Sequence, residues 1–188
     1  MPTTTNVYNY CPQCGNKLVQ SPISGVTRPN CTHCSFIHWG DYSLGVGGVL
    51  WRDEKVLLVQ RAYNPGKGVW TIPGGYVDQN EGIAEAIVRE VKEETGINAK
   101  PVSIIALRDR PGEKHDAYII FLLEDLGGSL EAEAAEVSDL GFFTLEECGA
   151  LQIAQLSLSA IEASMSGTGF TRKDGVKMIG KSSVLYQI

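Results

Sequence analysis

Two sets of residues in this chain of 188 have the types and spacing of chemical sites. The first is Glu90, Glu93 and Glu94, inside GGYVDQNEGIAEAIVREVKEETGI, residues 74 to 97. On a helix, positions three and four apart share a face, so the three carboxylates crowd together within about one turn. Unpaired, like charges at these spacings repel. A hard divalent cation reverses the sign, because Mg2+ takes oxygen ligands and is held by carboxylates, waters and substrate phosphates. Over such a face it could clamp a pyrophosphate and supply a hydroxide nucleophile. The bland alternative is a solvated face with Glu85–Arg89 and Arg89–Glu93 ion pairs, each contributing about 0.2–0.5 kcal/mol.

The second set is Cys11, Cys14, Cys31 and Cys34, two CxxC pairs separated by sixteen residues. That spacing predicts a four-thiolate Zn2+ site, closed to catalysis because four ligands complete the tetrahedron. A redox-active CxxC is the alternative. His33 and His38 are left out of the ligand set, since four thiolates suffice. Cys148 stands alone beside a short apolar segment and reads as a small buried hydrophobe.

The elements that must position these groups are legible around them. Residues 1–40 are too small and polar for a core, so a metal would supply much of their folding energy. LGVGGVLW and KVLLVQRA, separated by Arg52-Asp53-Glu54, predict strand, turn and strand. VWTIPGGYV is a short extended piece ending near Gly74-Gly75. A helix is expected from about Gly82 to Thr95, with Ile83, Ala86, Ile87 and Val91 as its apolar stripe. Its carboxylate face is expected to look out of the core. Gly96 suits a left-handed helix terminator. PVSIIALRD, HDAYIIFLLED and EVSDLGFF predict further strands, and TLEECGAL and QLSLSAIEASM two short helices, the first opened by Thr144 with Glu147. The fold class is α+β.

Net charge is −6, which disfavours nucleic acid as a partner. The charge is uneven: residues 1–40 contain no acid, whereas residues 78–97 carry six acids against Arg89 and Lys92. No apolar run approaches the ~20 residues that span a bilayer, and MPTTTNVYNY lacks the pattern of a secretory leader. The expected compartment is the cytoplasm.

Gly75, Glu81, Arg89-Glu90-Val91, Glu93-Glu94 and Gly96-Ile97 resemble the complete Nudix box at every defined position across 23 residues. The resemblance implies hydrolysis of a nucleoside diphosphate linked to another moiety, with Mg2+ or Mn2+, on an α/β/α sandwich around a mixed sheet. It implies that Glu90, Glu93 and Glu94 hold the metal with the Gly75 carbonyl, while Glu81, Arg89 and Gly96 are structural. Gly82 replaces the Ser or Thr common after the first Glu, a tolerated N-cap. Glu94 or Glu90 could act as the base; Glu136 stands where several relatives carry a later acid, with Glu131 and Glu133 as competitors. Arg61 is expected to meet substrate phosphate. Trp70 is expected to pack beneath the loop, and Tyr118 and Phe121 to face a core or partner. His115 is a weak substrate candidate.

The layout divides into a zinc ribbon (1–40), a Nudix domain (41–166) and a C-terminal tail (167–188). It is similar to zinc-ribbon Nudix pyrophosphatases acting on ADP-ribose and FAD. The SQPWPFPxS-like segment of NADH pyrophosphatases is missing, which disfavours that branch; NADH pyrophosphatase or nucleoside triphosphate pyrophosphohydrolase is the alternative activity. A ligand sensor is the non-enzymatic alternative, weakened by the intact carboxylates. The resemblance admits a homodimer, with the strand-like SSVLYQI tail as a candidate interface strand.

Overall fold

The structure, a computed structural model, describes residues 8–132, 135–167, 169–178 and 181–187. It divides into two compact units, one holding the chain up to Ser43 with Arg110–Asp116, the other Leu44–Asp109 with Ala117 onward.

In the first unit, strands β1 (Val19–Ile23) and β2 (Val26–Asn30) form an antiparallel hairpin. Two similar knuckles flank it. In one, the Cys11 N–H donates to Asn16 O at 2.8 Å; in the other, the Cys31 N–H donates to Phe36 O at 3.0 Å. Isolated antiparallel bridges, Tyr10 with Lys17 and Asn30 with Ile37, close each knuckle. Arg28 stacks on Trp39 with its guanidinium 4.9 Å from the ring centre.

The second unit is built on a sheet containing β3 (Asp41–Arg52), β4 (Lys55–Arg61), β5 (Trp70–Thr71), β6 (Gly74–Tyr76), β7 (Ala99–Arg110), β8 (Lys114–Asp125), β9 (Val137–Phe143), β10 (Phe170–Met178) and β11 (Lys181–Gln187). The order is β11-β10-β7-β8-β3-β4-β5, with β6 beside β3 and β9 beside β4. Asp53 and Glu54, both at positive φ, make the tight turn from β3 to β4. Residues 182–187 of the SSVLYQI tail lie in β11, paired with β10 in the same chain, and Ile188 falls outside the described residues.

Helices α1 (Ile83–Thr95), α2 (Leu145–Cys148) and α3 (Gln155–Ser164) cover the sheet. Alternation along the central strands explains why these strands read as continuous apolar runs. Val46, Leu50, Leu57, Phe121 and Leu123 pack with Ile87 and Val91 of α1. Val49, Val56, Leu58 and Ile120 pack in a second cluster with Cys148, Ala160 and Ile161 of the other helices. Both faces are therefore buried, as the α+β reading with helices around a mixed sheet requires. Burying a side chain such as Ile87 stabilises the fold by about 1.5–3 kcal/mol. Trp70 is buried edge-on against Phe143, with ring centres 4.9 Å apart. The capping box of Thr144 and Glu147 forms at the start of α2.

Candidate active site

Gly82 is the N-cap of helix α1, and its N–H donates to the Glu85 carboxylate at 2.9 Å. Glu85 is therefore a cap, and among the described residues it makes no ion pair with Arg89. The helix stops at Gly96, with φ at 73°. A side chain at Gly96 would also run within 2.5 Å of Ser129 O. Between these ends the apolar stripe packs on the sheet and fixes how the acids are aimed.

The three carboxylates meet different environments, and here the outward-facing expectation needs correction. Glu93 is exposed, Glu90 half-buried, and Glu94 only 8% exposed. Glu94 follows Val91 by three residues and Ile87 by seven, which places it at the edge of the buried stripe. Its Oε2 accepts from the Gly74 N–H at 2.8 Å. Desolvation pushes its carboxyl up to about 8, helped by the charges of Glu90 and Glu136 and opposed by the Gly74 amide and Arg61. Burial also raises Glu90, with Arg89 opposing.

Strand β6 pairs with β3 through Val46 and Gly75, setting Gly75 against α1. A β-carbon on Gly75 would collide with the Glu90 carboxylate. Arg89 ties the assembly together. Its guanidinium donates to Glu81 Oε2 at 3.0 Å and Oε1 at 2.6 Å, to Glu90 at 2.8 Å, to Glu93 at 3.0 Å and to Tyr76 O at 3.2 Å. Arg89 holds the Glu81 carboxyl down at about 2.

Glu136 is exposed, and its carbonyl accepts from the Ala62 N–H at 2.9 Å, beside Arg61. Its charge is felt at both Glu90 and Glu94. Arg61 stacks on Tyr63, 4.6 Å from the ring centre, and its Nε donates to Pro65 O at 3.2 Å. Glu131 instead lies at the end of α1, its N–H donating to Thr95 O at 3.0 Å; Glu133 falls outside the described residues. Glu136 and Arg61 thus act electrostatically on Glu94, and Glu136 on Glu90 as well, while Glu131 lies beside Glu93 at the C-terminal end of the helix. Nothing local in the sequence marks the Gly74 amide as the group that holds Glu94. The spacing of Glu94 from Ile87 and Val91 was the signal that it would be buried.

The donor set suits a hard divalent cation. It is all oxygen, Gly75 leaves room where a side chain would intrude, and Glu94 is a buried acid with no ion-pair partner among the described residues. Glu90, Glu93, Glu94 and the Gly75 carbonyl are the groups that would hold it. In the first unit the four cysteine sulfurs lie within 4.8 Å of one another, the donor set of a thiolate zinc site. Hydrogen bonds from Asn16 lower the Cys14 thiol to about 6. Cys148 is buried apart from them. Among the described residues, no helix is long and apolar enough to cross a membrane.

Comparison with known proteins gives a consistent picture. The profile of the NUDIX domain matches residues 41–162. An ADP-ribose pyrophosphatase of Methanocaldococcus jannaschii is 39% identical over 106 residues, 55% of this chain and 62% of that protein. An NAD-capped RNA hydrolase NudC of Pectobacterium carotovorum is 25% identical over 140 residues, 74% of this chain and 52% of that protein. The chain spans less than two thirds of the length of these curated relatives. A NUDIX hydrolase structure from Nitrosomonas europaea superposes with a TM-score of 0.70 at 24% identity, over 86% of this chain and 95% of that one.

Proposed function

Because the chain belongs to the NUDIX family, we propose that it hydrolyses the pyrophosphate bond of a nucleoside diphosphate linked to another moiety, ADP-ribose or FAD, giving two monophosphates. The observation that carries this reading is the cradle in which buried Glu94 sits on the Gly74 amide while Glu90 covers Gly75. The likeness to the Methanocaldococcus ADP-ribose pyrophosphatase supports ADP-ribose as the first substrate to test.

When bound, Mg2+ or Mn2+ supplies positive charge to the pyrophosphate and acidifies the attacking water. Glu90, Glu93, Glu94 and the Gly75 carbonyl are the groups that bind it. Arg89 keeps Glu90 and Glu93 aimed by sharing its guanidinium between them. Glu136 is the base: it is exposed, and its charge reaches Glu90 and Glu94. In the reaction, water oxygen bonds to phosphorus, its proton passes to Glu136, and the bridging P–O bond breaks with its electron pair leaving on the second phosphate. Arg61 offers a cation to the phosphates. The zinc ribbon is structural, a role that suits the reducing cytoplasm.

The test is a substrate panel of ADP-ribose, FAD, NADH and nucleoside triphosphates with Mg2+, reading AMP, FMN and phosphate separately. AMP from ADP-ribose or FAD, lost in Glu93→Gln and Glu94→Gln, is the expected result. Undiminished turnover by the double variant sinks the assignment. Metal-dependent ligand binding without turnover in the wild type would favour a sensor.

A further inference from the structure

Tyr118 of β8 occupies a space that three glycines leave open. A β-carbon on Gly45 would lie 2.5 Å from the Tyr118 ring, one on Gly47 2.8 Å from it, and one on Gly74 2.7 Å from its hydroxyl. The hydroxyl is thereby held between Gly47 and Gly74, beside the peptide whose N–H carries Glu94. The ring packs partly against the second core cluster, yet Tyr118 is half-buried, and its hydroxyl makes no hydrogen bond among the described residues. Arg108 stacks over the ring at 5.2 Å from its centre. Glu94, Arg108, Glu90 and Arg61 are the charged groups that act on the hydroxyl.

We propose that Tyr118 and Arg108 are substrate-binding groups, the phenol donating a hydrogen bond to a phosphate oxygen and the stacked guanidinium supplying a cation to the same diphosphate. The proposal rests on the pyrophosphohydrolase reading. It gives the diphosphate two cations, Arg61 and Arg108, opposite in charge to the carboxylate cluster. The ring of Tyr118 pre-orients Arg108, so less freedom is lost on binding.

Tyr118→Phe removes the hydroxyl and keeps the ring, so a packing role predicts no change. Steady-state kinetics with ADP-ribose and Mg2+ should show KM raised about tenfold in Tyr118→Phe and in Arg108→Gln, with Arg108→Lys intermediate. Mn2+ affinity and melting temperature should stay at wild-type values. ADP affinity, measured by calorimetry with Ca2+ replacing Mg2+, should fall by a similar factor. KM and ADP affinity within twofold of wild type in both variants would overturn the proposal. If the wild type turns over none of the panel but binds ADP in a Tyr118- and Arg108-dependent way, the hydrolase reading fails and this one stands. Failure of the wild type to bind ADP at all overturns it.

Discussion

Gly75 lies directly against the Glu90 carboxylate, so closely that a β-carbon on the glycine would collide with it. The pairing of β6 with β3 and the packing of α1 on the same sheet impose this approach. Gly75→Ala must therefore push Glu90 out of place. The expected outcome is at least a tenfold loss of Mg2+-dependent turnover together with weaker Mn2+ binding. Circular dichroism should show the helix content unchanged.

The buried Glu94 carboxyl couples stability to pH, and with it the metal binding proposed for this group. A carboxyl whose folded value, about 8, lies above its unfolded value stabilises the fold at low pH. That stability is lost as pH rises between the two values. Without added divalent cation, urea midpoints should therefore fall from pH 5 to pH 8, at about 1.4 kcal/mol per unit of pH at most. Glu94→Gln should flatten the profile, and Mg2+ should protect the wild type most at the alkaline end. Because the proton must leave, Mn2+ affinity should weaken as pH drops below 8.

Arg89 makes five donor contacts to Glu81, Glu90, Glu93 and Tyr76 O. Lysine presents its three donors from one atom and cannot span this set. Arg89→Lys and Arg89→Met should each lower stability by about 1–2 kcal/mol, after allowance for solvent screening of a partly exposed group. Because Arg89 holds Glu81 down at about 2, the stability it confers is present above the ordinary carboxyl range and lost as pH falls toward 2. The difference between variant and wild type in thermal melts should thus shrink in acid.

The four sulfurs of Cys11, Cys14, Cys31 and Cys34 are gathered within 4.8 Å. Metal analysis of the purified chain should find about one zinc per molecule. Cys14→Ser and Cys31→Ser should each reduce it severalfold, and Co2+ in its place should give the absorption of a tetrahedral thiolate site. Retention of full zinc by both variants would exclude this site.

How much of this was legible in the residues depends on how local each feature is. The extent of α1, its glycine terminator and the Thr144–Glu147 cap are written in neighbouring residues, and the structure places them as the spacing predicts. The two strand faces could be inferred only as apolar runs, since burial on both sides hides the alternation. Of the two ion pairs that a solvated helix face would carry, Arg89–Glu93 forms, whereas Glu85 accepts from the Gly82 N–H instead. Tyr118 packs its ring against the second core cluster, as its apolar strand predicts, while the charges that act on its hydroxyl come from other strands and from α1.

The sequence by itself determined the type and order of the candidate ligand groups: four thiols in two knuckles, and three acids on one turn of a helix that follows a glycine pair. Periodicity and short loops are enough for that, because they act over a few residues. Only the tertiary structure decided that Glu94 is buried and Glu93 exposed, that the Gly74 amide holds Glu94, and that Arg61 and Glu136 arrive from β4 and the approach to β9. Desolvation and charge–charge coupling depend on what packs against a group, and those neighbours come from strands distant along the chain.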